Sequence, residues 1–134
     1  MASSRASITG APPMAERAYV QADLAKAEAM LRSARAFFYE ATDSAYDALV
    51  RGDTLGSDVH TLLRLSATHA AKSGSEVARI AYSISGTAGI FADHPLAQAL
   101  QDSLVVTQHV FLAEDTWQSA GRMLLGFPAG PAFP

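Results

Sequence analysis

Between Ala15 and Arg51 the apolar positions Val20, Leu24, Ala27, Leu31, Ala34, Phe38, Ala41, Ala45 and Ala48 recur in steps of four and three. That spacing puts them on one stripe of a helix. A stripe of this heptad-like period packs against a neighbour at a shallow left-handed crossing. At 1.5 Å per residue such a helix is about 54 Å long, and Gly52-Asp53 ends it. A second pattern starts at Ser57 or Asp58 and runs to about Ser85, with Val59, Leu63, Ser66, Ala70, Ser73, Val77, Ile80 and Ile84 on its seam. Both seams carry small residues at mid-helix, so the two backbones can approach closely. The spacing predicts an antiparallel pair. His69 lies one position off the second seam and reads as a packed or half-exposed histidine rather than a ligand.

The stretch SGTAGIFADHPLAQALQDSLVVTQH, from Ser85 to His109, holds the densest glycine use and the clearest helix start. Gly86 is placed to end the second helix, since a residue without Cβ commonly does so. Gly89 allows close backbone approach. Asp93-His94-Pro95 reads as a cap followed by proline in the first turn. Leu96, Leu100, Ser103, Leu104 and Thr107 then follow at helical spacing in a third helix over about 95–110. His109 lies some 200° beyond Thr107 on that helix. It is therefore expected to be at least partly exposed, off the inner stripe. Ala113-Glu114-Asp115 opens a fourth helix, with acids in its first turn. Trp117, Ala120, Gly121, Leu124 and Leu125 are expected on its inner face, and Gly126 ends it. The expected layout is a lead-in loop over 1–14, a bundle over 15–126 and an irregular tail over 127–134. No alternation of period two appears. The fold class is all-α, an up-and-down four-helix bundle.

Composition narrows the function more than the fold. Charged residues are only 17% against 49% hydrophobic, and 27 residues are alanine. Close-packed helices with much surface covered by a partner fit that balance. A net charge of −3 gives no electrostatic footprint for nucleic acid. There is no cysteine, so neither disulfides nor thiolate chemistry enter. The four histidines are scattered without metal-ligand spacing. No stretch reaches the roughly 20 apolar residues that span a bilayer, and no leader-like apolar run is present. The expectation is a cytoplasmic protein. By themselves the glycines of GTAG fit a plain helix corner or a weak phosphate site. His109 fits a helix-end histidine held by the dipole or a site residue.

In this order, SGTAGIF, HPLAQALQD and TQH resemble the C-terminal helical domain of the acyl-CoA dehydrogenase superfamily, and most of all its flavin-dependent, two-component monooxygenases. The upstream helical segments and AGRMLLG resemble it too, so the likeness covers roughly residues 5–126. The resemblance implies a flavin cofactor, FAD or FMN. It implies that Arg5 and Ser7 of SRASITG, with Gly86 and Thr87 of the glycine turn, touch flavin phosphates, the two pieces coming from different subunits of a dimer or tetramer. It implies that His109, the histidine of the QH pair, faces the flavin ring. There it donates a hydrogen bond to bound oxygen or takes a proton from a phenolic substrate.

Two departures matter. Acyl-CoA dehydrogenases carry a catalytic glutamate near this point, where Val110 stands here, so proton abstraction next to a thioester has no evident base. The helix also has Gln101-Asp102 in place of the family's Arg-Asp pair. The rest of a family enzyme, an N-terminal helical domain and a β domain, has no counterpart in these residues. They belong on a longer chain or on another one. The expected function is thus one wall of a flavin oxidoreductase site plus an oligomer interface, with the 134 residues inactive alone. The alternative is a non-catalytic oligomerisation module derived from the same family.

Overall fold

The computed structural model describes residues 10–91 and 93–128. Among these residues four α-helices follow one another: α1 (Ala18–Val50), α2 (Ser57–Ile84), α3 (Pro95–Thr107) and α4 (Glu114–Leu124). Short 3-10 turns lie at Met14–Glu16, Gly86–Ile90 and Val110–Leu112, and the described residues contain no strand. The all-α, four-helix class is therefore as expected, and α1 and α2 are the two longest helices.

Phe37, in the middle of α1, faces His69, in the middle of α2, with ring centroids 6.2 Å apart. Val20 and Leu24 near the start of α1 line a common groove with Ala81 and Ile84 at the end of α2. The second relation requires the two helices to run antiparallel, and the first agrees with it. On α1 the buried residues Val20, Ala27, Ala34 and Ala41 are each seven apart. On α2 Ser66 and Ser73, also seven apart, are buried. Small side chains on both seams let the backbones close up, as their spacing suggests. Ser66 satisfies its own hydroxyl by donating to Leu63 O at 2.9 Å.

Only half of the α1 stripe is used. Leu24 and Leu31, expected in the seam, are 59% and 38% exposed. The contact line with α2 follows the sevenfold positions. In the first half of α1 the residues four further on, Leu24 and Leu31, face outward, whereas Phe38 is half-buried and Ala45 buried; α1 packs chiefly on α2 and makes no comparable contact with α3 or α4. The hub is α2. Ser66 and Thr68 are both at 0% exposure, yet two residues on a helix point about 200° apart, so α2 is covered on opposite sides. Helix α1 lies on one side, and α3 with the Val110–Leu112 turn and α4 on the others.

In α4 the expected inner face is off by part of a turn. Thr116 and Ala120 are buried, whereas Leu124 and Leu125 are 74% and 76% exposed. Thr116 anchors the stripe by donating its hydroxyl to Phe111 O at 3.1 Å, and Trp117 lies on its flank. The Trp117 ring meets His69 edge-on at 6.5 Å. His69 thus packs between Phe37 and Trp117, the half-buried role its place beside the seam suggests.

Candidate functional site

Residues of interest gather at the two ends of α3, separated by its length of roughly 18 Å. At the first end, Gly86 adopts φ +62, the left-handed region that ends a helix without strain only in glycine. Its α-hydrogen side faces the chain's own start: a Cβ there would sit 3.6 Å from the Met14 methyl. Thr87 is exposed in the same turn. Gly89 is buried, and what approaches it is local, the Ser85 hydroxyl and the Tyr82 ring. His94 caps α3, its Nδ1 accepting from the Leu96 N–H at 3.3 Å, and Pro95 follows as the first helical residue.

A groove of about 1030 Å³ opens here. Its walls are largely apolar, with Met14, Leu24, Ile84 and Phe91, and its polar groups are Gln21, Ser85, Asp93 and His94. None of the lining residues is a lysine or arginine. The described residues of this turn offer hydroxyls but no cation to a phosphate, and Asp93 opposes one. A phosphate would need a charge such as that of Arg5. Arg5 and Ser7 lie outside the described residues.

At the other end, α3 stops at Thr107 rather than near Val110. Gln108 and His109 bond back to Val105 O and Val106 O, three residues away, and tighten the last turn. His109 then takes an extended ψ of 133 and caps the Val110–Leu112 turn. Its place off the inner stripe therefore comes from leaving the helix, not from 200° of rotation along it. It is exposed, as expected. On α3 itself Thr107 is buried and Leu96, Leu100 and Ser103 are half-buried, while Leu104 turns outward. Asp102, without the family's arginine, accepts instead from Gln98 one turn back at 2.6 Å.

The geometry around His109 fixes what its ring can do. The Phe111 N–H donates to His109 Nδ1 at 3.3 Å. The neutral imidazole therefore carries its proton on Nε2, and that N–H points away from its own backbone. The Phe111 ring lies 5.4 Å from the imidazole, tilted by 37°. On Phe111 rests the Arg64 guanidinium of α2, 5.7 Å from the ring centroid. Burial pushes the Arg64 guanidinium down from its ordinary value. Val105, Val106, Val110 and Phe111 are all exposed beside His109. An apolar wall holding one N–H donor and one cation suits the ring of a flavin and an organic substrate. The residues at this end fit such a group, while those described at the Gly86 end do not by themselves fit its phosphates.

The structure thus sets His109 apart from Gly86 and Thr87. It also joins to His109 two residues that the sequence does not single out, Arg64 and Phe111. Phe111 stands two places past the QH pair, but nothing local marks Arg64, since only the packing of α2 against the Val110–Leu112 turn brings it there. Among the described residues no group of histidines and acids could hold a metal ion, and no helix is long and apolar enough to cross a membrane.

Comparison with known proteins gives the family of the chain. The family described as acyl-CoA dehydrogenase, C-terminal domain, matches residues 1–114. An indole-3-acetate monooxygenase of Pseudomonas putida is 51% identical over 133 residues. The indole-3-acetate monooxygenase of Acinetobacter baumannii is 31% identical over the same length. In both cases 99% of this chain aligns, and it spans only 34% of the relative. The crystal structure of a 3-HSA hydroxylase from Rhodococcus sp. RHA1 superposes with a TM-score of 0.81, covering 87% of this chain and 31% of that one. At 16% identity that likeness speaks for the fold alone. Four helices in this order and a match over residues 1–114 show that the chain belongs to the acyl-CoA dehydrogenase C-terminal domain family, among relatives that are monooxygenases.

Proposed function

We propose that this chain is the C-terminal helical part of a cytoplasmic flavin-dependent monooxygenase that hydroxylates indole-3-acetate or a closely similar aromatic acid. It works together with segments equivalent to the remaining two thirds of its relatives, as a dimer or tetramer. The observation that carries this reading is His109: an exposed imidazole whose Nδ1 is occupied by the Phe111 N–H, set in the exposed apolar surface of Val106, Val110 and Phe111. Flavin, FAD or FMN, supplies the electrons that activate dioxygen when bound. His109 Nε2–H donates a hydrogen bond toward the oxygen being transferred, and the valines and Phe111 keep water from it. The lack of a glutamate at Val110 argues against dehydrogenase chemistry. In the same reading Arg5 and Ser7 join Gly86 and Thr87, from two subunits, around the flavin phosphates, with Arg5 supplying the charge that the groove lacks.

The decisive test is the assembled enzyme given reduced flavin, dioxygen and indole-3-acetate. Hydroxylated product formed by the wild type, and hydrogen peroxide in its place with His109→Ala, are the expected results. An undiminished product yield in the variant removes the role of His109. A second reading, a non-catalytic oligomerisation module, is favoured by the exposed Leu24, Leu31, Tyr46 and Leu49 of α1. It predicts self-association with no change in the visible spectrum of added FAD or FMN, even when the remaining domains are present.

A further inference from the structure

We propose that the outward face of α1 docks on the same face of a second copy of the chain, with the two helices antiparallel about a two-fold axis at Tyr39. The proposal rests on the self-association in the function given above and adds to it the face, the direction and the ion pairs. At 100° per residue, Leu24, Leu31, Arg35, Tyr39, Tyr46 and Leu49 fall within an arc of about 80°, and all six are exposed. This arc lies beside the buried line of Val20, Ala27, Ala34 and Ala41, so one face of α1 stays open from its second turn to its last. The charges on α1 say what covers it. In the first half of the helix Asp23 and Glu28 are held by Lys26 and Arg32 at 3.0 and 2.6 Å. Arg35 is left as the cation of that half with no ion pair among the described residues. From Ala36 to Val50 the helix carries Glu40, Asp43 and Asp47 and no lysine or arginine. None of these three acids is ion-paired among the described residues. Two parallel α1 helices would set acids against acids, which costs binding. Two antiparallel ones set the basic half of each against the acidic half of the other. Arg35, Tyr39 and Asp43 follow one another at four-residue steps, with Tyr39 midway. An axis at Tyr39 therefore brings Arg35 to the partner's Asp43 and Asp43 to the partner's Arg35, the same pair made twice, as a two-fold interface requires.

The test is sedimentation velocity over a range of concentrations on the wild-type chain, on Arg35→Glu, on Asp43→Arg and on the double variant that carries both changes. Both positions are exposed, so circular dichroism should show helix content kept in all four. The wild type is expected to self-associate, with a Kd that rises as salt is added. Each single variant sets two like-charged pairs across the axis and should raise Kd about tenfold, since each exposed pair is worth little but counts twice. The double variant exchanges the two charges and should return to within about threefold of the wild type. An unchanged Kd in both single variants overturns the antiparallel pairing and leaves self-association to another face. Opposite shifts in the two single variants overturn it as well, because they would follow net charge, which one change raises and the other lowers. So does a double variant that stays as weak as the single ones. A wild type that remains monomeric at high micromolar concentration overturns the proposal together with the self-association on which it rests.

Discussion

His94 and His109 cap the elements that follow them in the same way: each Nδ1 accepts the backbone N–H two residues on, at 3.3 Å. The two histidines are therefore matched in local structure but not in place, one at each end of α3. Their alanine variants should each cost about 0.5–1 kcal/mol, the usual loss for a cap, read as similar small drops in the denaturation midpoint. Only His109→Ala should release hydrogen peroxide during turnover of the assembled enzyme. Equal uncoupling in both variants would mean that lost capping, not the Nε2–H of His109, is responsible.

Thr68 is fully buried on α2, and its hydroxyl has no hydrogen-bond partner among the described residues. An unsatisfied buried hydroxyl is a standing cost, and valine has nearly the same shape without it. Thr68→Val is expected to stabilise the chain by about 1 kcal/mol. A loss of stability in urea or thermal denaturation would show that the hydroxyl has a partner in solution.

Two glycines should respond to alanine with opposite sign. Gly86 sits at φ +62, where a Cβ meets nothing closer than the Met14 methyl at 3.6 Å. The penalty is backbone strain alone, about 1–2 kcal/mol. Gly74 lies inside α2, and a Cβ there would have nothing within 4 Å, so Gly74→Ala should gain about 0.5–1 kcal/mol from reduced chain entropy. Chemical denaturation of the two variants decides; the same sign for both would contradict the backbone assignment.

Leu24, Leu31 and Leu49 lie close to one line on α1, all exposed, with Tyr46 beside them. Large exposed apolar side chains repeated along one helix face fit an interaction surface. Replacing Leu24 and Leu31 together by glutamate should shift the chain from dimer or tetramer to monomer in light scattering, with helix content kept. A wild type that stays monomeric at high micromolar concentration would remove this face as the interface.

Helix number, order and most boundaries are legible locally. The seven-residue recurrence of Val20, Ala27, Ala34 and Ala41, the left-handed glycines at 52, 86 and 126 and the cap at His94-Pro95 all act within a few residues of themselves. The ordered motifs from Ser85 to His109 likewise carry the family. Periodicity says which positions share a stripe, but not how much of it a neighbour covers. The half-used seam of α1 follows from α2 being flanked by α1 on one side and by α3 and α4 on the others. The turn of the α4 inner face to Thr116 and Ala120 depends on a hydroxyl reaching back to Phe111 O. The exposure of His109 is foreseen, but its cause is the early stop of α3 and the extended backbone after it. Arg64 meets Phe111 because two segments far apart in the chain are packed together, and no local pattern encodes that meeting. Short-range sterics and hydrogen bonds write themselves into sequence spacing, whereas a site assembled across helices exists only once the helices have chosen their neighbours.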